Sequence, residues 1–399
     1  VFVRLNPWLK KFLCYSVAKM KIIIAPNAFK ETLSAVEVAD CIEQGIRKIL
    51  PETAIEKFPL ADGGDGTVDA LVSAMGGKII AREVTGPLGK KVRAEIGLLG
   101  DEMTAVVEMA SASGLRLVPL QKRNPLRTTT YGTGELIKAC LDGGAKKIIV
   151  GVGGSATVDG GAGMAMALGA KLLDKFDKPI ESGGEGLKHL FRIDCSQLDS
   201  RIKRTKFIVA ADVDNPLLGK QGAARVYAAQ KGATPKMVGE LEKYLTNFAR
   251  VIKKDLGVEV ANLPGAGAAG GLGAGLAAFL NARIEQGVDI VIKAWGLKEK
   301  MKNADLVFTG EGSIDRQTLY GKVPFGVAKI AKKYGVPVIA IAGNVEDGAY
   351  MLLEYGIEAI FSTTPRIMTL AEIRKNPGQL ITNTVEQIMR IYRLREEGC

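Results

Sequence analysis

The run Lys21-Ile22-Ile23-Ile24-Ala25-Pro26, with the helix-like pattern AVEVADCIEQGIRKIL behind it at Ala35–Leu50, decides the fold. A short, β-branched apolar run without alternation marks a strand buried on both faces. Four further runs obey the same rule: Ile55–Pro59, Asp305–Thr309, Val338–Ala342 and Ala359–Ser362. Helical patterns accompany them at Gly326–Tyr334, at Asp347–Tyr355 and, as one long helix, at Leu370–Arg393. Strand alternating with helix predicts an α/β fold, a flavodoxin/Rossmann-like parallel sheet built from the first two and last three units.

The residues between have a different texture. Lys78–Val84, Lys91–Leu98 and Met103–Glu108 read as antiparallel strands punctuated by the turn GPLG at Gly86–Gly89. Tyr131–Leu141, Lys147–Val152 and Phe207–Asp212 then alternate as helix and strand, and a long polar helix spans Pro235–Leu256. The expected division is residues 20–66 plus 297–399 for the flavodoxin-like domain and 67–296 for a second, inserted α/β domain with a mixed sheet, linked near Gly66 and Trp295. The active site of such an arrangement is expected in the cleft, at the carboxyl ends of the parallel strands.

Of the 399 residues, 54 are Lys or Arg and 43 Asp or Glu, a formal charge of +11, with 47% hydrophobic residues. This is the composition of an ordinary globular protein and excludes disorder as the main state. Arg4, Lys10, Lys11 and Lys19 stand without any acid in the first nineteen residues, leaving +7 elsewhere. That basic start reads as an extension outside the fold, because it has neither a long apolar core nor an A-x-A cleavage pattern. No stripe of Arg and Lys interleaved with aromatics points to nucleic acid. The uncharged run Val260–Ala282 is too rich in Gly and Ala to read as a membrane span, so no membrane partner is expected. Five scattered cysteines, none in a CxxC spacing, support neither a disulfide framework nor a thiolate zinc site and fit a cytoplasmic protein. The single histidine, His189, reads as a surface or packing residue and leaves acid–base chemistry to carboxylates and lysines.

Glycine is the informative excess: 48 residues, about 12% against the usual 7% or so, of which four segments hold 19. ADGGDG (Ala61–Gly66) offers Asp62 and Asp65 as metal ligands or proton acceptors, or equally a tight turn with a helix cap. GVGGSATVDGGAG (Gly151–Gly163) suits phosphate at a helix N-terminus through Gly153, Gly154 and Ser155. Its Gly151-x-Gly153-x-x-Ala156 pattern, with Asp174 downstream, also reads as a weak dinucleotide fingerprint. PGAGAAGGLGAG (Pro264–Gly275) matches G-x-G-x-x-G literally but lacks a preceding strand, and close helix packing explains it as well. TGEGSIDRQTLYGKVPFGVA (Thr309–Ala328) places Glu311 and Asp315 in a turn after a strand and Lys322 near a helix start, with Gly310 and Gly312 free to meet phosphate oxygens; a polar turn with a capping acid is the plainer alternative. No G-x-x-x-x-G-K-[ST] occurs, which excludes a Walker loop.

Taken in order, IAPNAFKETLSA, ADGGDGT, VTGPLG, TTTYGTGELI, GVGGSATVDGGAGM, AADVDNPLLG, AQKGA, PGAGAAGGLGAGL and the Thr309–Ala328 segment resemble bacterial two-domain glycerate kinases, of the glycerate 2-kinase type. The resemblance runs from Met20 to the C-terminal helix. It implies phosphorylation of D-glycerate by ATP with Mg2+, most often to 2-phosphoglycerate. The chain departs from many relatives at Asn27-Ala28, where Asp-Ser is common, at Ser313, where Arg is common, and at Ala229, where Pro is common. Asn27 cannot be a base, and Ser313 cannot clamp an oxyanion bidentately.

The expected reaction is in-line transfer of the γ-phosphoryl group to a glycerate hydroxyl, with positioning and charge neutralisation doing most of the work. Asp212 is the preferred base, with Asn215 orienting the hydroxyl. Lys30 and Lys322 neutralise glycerate or phosphate, Gly153, Gly154, Ser155, Gly310, Gly312 and Asp315 hold the nucleotide, and Asp62, Asp65 and Glu311 take the metal. Competing readings are transfer to the 3-hydroxyl, a nicotinamide dehydrogenase using the G-x-G loops, and a non-catalytic nucleotide or organic-acid binder. Self-association into a homo-oligomer is compatible with the sequence.

Overall fold

Strand β1 (Lys21–Pro26) lies inside a five-stranded sheet, and Ile22, Ile23 and Ile24 have no exposed surface. The computed structural model describes residues 20–29 and 32–394, so the basic extension and Lys30 lie outside the described residues. Helix α1 (Ala35–Arg47) starts at a capping box in which Glu37 accepts the Ser34 N–H at 2.8 Å and Ser34 Oγ accepts the Glu37 N–H at 3.3 Å. Those hydrogen bonds hold the Glu37 carboxyl below its ordinary value. The helix stops at Arg47, three residues short of the expected end, where the Ile49 amide bonds to the Ile46 carbonyl in 3-10 fashion and Pro51 lies just ahead. Strand β2 (Ala54–Lys57) pairs with β1 in parallel at the sheet edge, and the Phe58 and Leu60 amides go on to the Ile24 and Pro26 carbonyls of β1.

The chain then builds a unit from Asp62 to Val291, the other unit taking the chain up to Ala61 together with Ile292 onward. The sequence expectation set these limits near Gly66 and Trp295. Two contacts account for the difference: Gly63 seats against the Ala210 backbone, and Trp295 packs edge-on against Phe58 and donates to the Pro59 carbonyl at 2.9 Å.

Within the Asp62–Val291 unit, α2 (Thr67–Met75) precedes the antiparallel strands β3 (Gly77–Thr85), β4 (Lys91–Leu99) and β5 (Thr104–Glu108). Next come α3 (Tyr131–Asp142), β6 (Lys147–Gly151), α4 (Ala162–Ala167), a separate ribbon of β7 (Lys171–Leu173) with β8 (Arg192–Asp194), and β9 (Lys206–Ala211). Helix α5 (Pro235–Leu256), segment α6 (Ala268–Leu280) and strand β10 (Arg283–Gln286) complete it. The sheet order is β10-β9-β6-β5-β4-β3, parallel from β10 to β5 and antiparallel beyond. The uncharged 260–282 run is a broken turn feeding a buried helix: Ala269, Gly270 and Gly271 are left-handed, and no helix among the described residues is long and apolar enough to cross a membrane.

Back in the other unit, β11 (Leu306–Ile314), α7 (Val323–Tyr334), β12 (Val338–Val345), β13 (Ala359–Ser362) and α8 (Pro377–Leu394) finish the five-stranded sheet, all parallel in the order β13-β12-β11-β1-β2. Renumbered within the unit, that is the flavodoxin order 2-1-3-4-5, with its switch point between β1 and β11. The single long helix expected over 370–393 is two, Leu370–Ile373 and α8, since Pro377 opens a helix well but disfavours α geometry at Asn376. The expected helix at Asp347–Tyr355 is a 3-10 segment, Ala349–Tyr355. Ile22, Ile24, Phe308 and Ile341 form the core with Val38, Ile42 and Ile46 of α1 and Ile381, Val385 and Ile388 of α8. Gly45 permits this, because a Cβ there would lie 2.7 Å from both the Thr382 carbonyl and Val385.

Candidate active site

The parallel strands β5, β6, β9 and β10 end at Glu108, Gly151, Ala211 and Gln286, and the loops leaving that edge carry most of the expected chemistry. Gly153 donates its N–H to the Gly63 carbonyl at 3.1 Å. A Cβ at Gly151 would come within 2.7 Å of the same carbonyl. The Asp62–Gly66 turn is thereby stacked on the Gly151–Gly161 loop, with Asp212 two residues beyond Ala210, on which Gly63 rests. Asp62, Asp65, Gly153, Gly154, Ser155, Asp212 and Asn215 thus share one edge of this unit.

Several of them already have partners. Asp65 is paired with Arg116 at 2.9 Å. Asn215 accepts the Tyr227 hydroxyl at 2.6 Å and donates to the Gln221 carbonyl at 2.8 Å, so its amide braces the β9 loop. The Tyr227 phenol is pushed up to about 12, chiefly by burial and then by the charge of Asp212. Gln286 donates to Asp214 at 3.0 Å, while its Oε1 is buried without a hydrogen-bond partner.

Three groups at this edge, two buried and one half-buried, escaped the sequence reading. Asp159, fully buried, accepts the Thr130 N–H and hydroxyl at 2.8 Å each, the Gly161 N–H at 3.2 Å and the Gly163 N–H at 3.3 Å. Burial pushes its carboxyl up, against the pull of those donors. Lys231, 2% exposed, donates to Ser155 Oγ at 2.6 Å and the Thr157 carbonyl at 2.8 Å, and burial brings its ammonium down to about 7. Glu108 accepts the Val68 N–H at 2.8 Å near the start of α2, and burial pushes its carboxyl up to about 7. The motifs GVGGSATVDGGAG and AQKGA contained two of these residues, but burial comes from tertiary packing that no local pattern reveals.

Glu108 has a measurable consequence. Between its ordinary value of 4.5 and about 7, the folded chain holds a proton that the unfolded chain has lost, so rising pH destabilises the fold across that window and has no further effect through this group above it. Glu108→Gln keeps an oxygen for the Val68 N–H, and we expect it to flatten urea-midpoint stability between pH 5 and pH 7, the window over which the folded carboxyl stays protonated. An unchanged slope would refute this.

In the flavodoxin-like unit the corresponding edge is the switch point. Asn27 is buried, donates its N–H to the Gly310 carbonyl at 2.8 Å and accepts the Ala28 N–H on its side chain at 2.8 Å. Strand β11 continues past Thr309, where a turn was expected, because Glu311, Ser313 and Ile314 pair with Ala342, Asn344 and Val345 of β12. Glu311 is 6% exposed and accepts the Thr318 hydroxyl at 2.8 Å. Lys322 Nζ stands 4.0 Å from Glu311 and 3.6 Å from Asp315, at the N-terminus of α7. Asp315 caps the Arg316–Tyr320 turn by accepting the Gln317 and Thr318 N–H groups. Gly310 serves strand packing, since a Cβ there would collide with the Ile341 carbonyl. Ser313 donates to Glu346 at 2.9 Å.

Among the described residues, no group of three or more His, Cys, Asp and Glu side chains is placed to hold a metal ion. The dinucleotide patterns also fail structurally. No helix opens inside Gly151–Ala156, α4 beginning only at Ala162, and no strand leads directly into Gly265. His189 is exposed at the end of the Gly184–His189 turn.

Two α/β units, each with carboxylates, a lysine and glycine-rich backbone at the carboxyl edge of its parallel strands, have the kind of groups that phosphotransferases use. The chain belongs to the glycerate kinase family, whose model matches residues 22–393. It is 54% identical to the glycerate kinase of Halalkalibacterium halodurans over 92% of this chain and 97% of that one. It is 53% identical to the glycerate 2-kinase of Escherichia coli over 88% of this chain and 93% of that one. A crystal structure described as glycerate kinase 2 from Salmonella typhimurium LT2 superposes with a TM-score of 0.81 at 50% identity, covering 94% of this chain and 99% of that one.

Proposed function

We propose that this chain transfers the γ-phosphoryl group of ATP to the 2-hydroxyl of D-glycerate. The observation that carries the reading is the family match over residues 22–393, supported by 53% identity to a protein named glycerate 2-kinase. Asp212 accepts the hydroxyl proton, Gly153–Ser155 receive an oxyanion, and Lys322 neutralises phosphate charge. Asn215 and Asp315 act by bracing loops, given the hydrogen bonds they already make. Mg2+ reaching the enzyme on the triphosphate needs only one or two protein carboxylates, which fits the lack of a three-acid cage among the described residues. Asp62, 3% exposed and accepting the Gly64 N–H at 3.2 Å, lies in the turn stacked on the Gly151–Gly161 loop and is the carboxylate we assign to it. Bound Mg2+ would neutralise charge developing on the phosphates. The three cysteines described, Cys41, Cys140 and Cys195, are free thiols, in keeping with a cytoplasmic setting.

ADP release that depends on D-glycerate, with phosphorus NMR of the product, tests the reading. A 2-phosphoglycerate signal is expected; 3-phosphoglycerate would overturn the regiochemistry, and ADP release indifferent to glycerate would overturn the activity.

A further inference from the structure

In its charged form Lys231 can only donate, so the 2.6 Å contact from its Nζ makes Ser155 Oγ the acceptor. The hydroxyl hydrogen of Ser155 must then point away from Lys231, and it reaches no acceptor among the described residues. Ser155 is 8% exposed, so that hydrogen is offered within a nearly closed loop. The same ammonium holds the Thr157 carbonyl at 2.8 Å, while Thr157 Oγ1, in the same loop, is buried with no partner. Both oxygens that Lys231 touches are uncharged. The nearest acid acting on it, Asp159, is already engaged by four donors. A buried ammonium with neutral partners is costly in a core and gains its return where an anion arrives.

We propose that Lys231 is a positioning residue of the phosphoryl-transfer reaction: it fixes Ser155 so that its O–H points at an incoming oxyanion, and it places positive charge behind the Gly153–Ser155 backbone. This rests on the reading that the Gly151–Gly161 loop meets an anionic group of a substrate. The oxyanion belongs either to the phosphates of the nucleotide or to the carboxylate of glycerate, and the test has an arm for each.

Calorimetric titration of ADP and of D-glycerate, separately, into the parent, Lys231→Met, Ser155→Ala and the double variant reads the proposal. Each single variant is expected to weaken one of the two ligands at least tenfold. The double variant is expected to be no worse than the weaker single one, because both changes remove a single relay. Turnover should split accordingly, KM for the affected ligand rising more than kcat falls. Losses that add in the double variant, or unchanged affinity for both ligands, overturn the proposal. Should Lys231→Met fail to fold, Ser155→Ala decides alone, since it leaves the buried ammonium in place; unchanged binding by that variant is fatal. A parent that binds ADP but shows no glycerate-dependent turnover removes the proposed function and leaves the ADP arm readable.

Discussion

Asp212→Asn is expected to lower kcat by about 10²- to 10⁴-fold, the usual share of a positioned general base. The residue follows β9 at the carboxyl edge of four parallel strands, where ligand sites of open α/β sheets collect. Its charge is felt inside the structure, since it adds to burial in pushing the Tyr227 phenol up to about 12. Asparagine keeps the shape and one oxygen, so substrate affinity and melting temperature should change little while the proton loses its destination. Steady-state kinetics at saturating ATP and glycerate measure the effect, and a kcat within a few-fold of the parent would remove Asp212 from the mechanism.

Asp159→Ala is expected to cost about 3 to 4 kcal/mol of unfolding free energy, on the basis of roughly 1 kcal/mol for each buried donor left without an acceptor. Four donors lose their partner at once: the Thr130 amide and hydroxyl and the Gly161 and Gly163 amides. Against a typical total of about 5–15 kcal/mol, that is a large fraction. Asp159→Asn keeps one acceptor oxygen and should lose about half as much. Urea midpoints at constant m-value measure both; a cost under about 1 kcal/mol for the alanine variant would mean that water satisfies those donors. The Gly151–Gly161 loop hangs from this carboxylate, so activity should decline in both variants before global unfolding does.

What could be read in advance follows from how local each signal is. Strands β1 and β13 were legible to the residue, because a run such as Ile22–Ile24 has one sensible environment. The continuation of β11 through Glu311 was not, since Gly310-Glu311-Gly312 reads as a turn until β12 is there to pair with it. Pro377 is a helix-start residue inside an amphipathic pattern that runs on across it, so the pattern reads as one helix where the chain forms two. The glycine loops were located correctly in sequence, yet much of their glycine serves backbone packing: Gly153 lies on Gly64, Gly270 on the Thr157 carbonyl, and Gly275 on Gly160. Lys231 and Asp159 were unreadable as site residues for a simpler reason, that an ordinary lysine or aspartate becomes unusual only when neighbours far along the chain bury it.

The division of the chain at Ala61 and Ile292 also bears on synthesis. At about 5–20 residues per second, the roughly 230 residues of the Asp62–Val291 unit occupy a ribosome for about 10–50 seconds. That unit is contiguous and can close as soon as it emerges. Throughout the interval β1 has only β2 beside it, since β11 is made later, and Ile22, Ile23 and Ile24 wait with one strand edge unpaired. The nascent chain therefore carries its most adhesive strand exposed for longest, which makes the first sixty residues the place where a chaperone would be of most use.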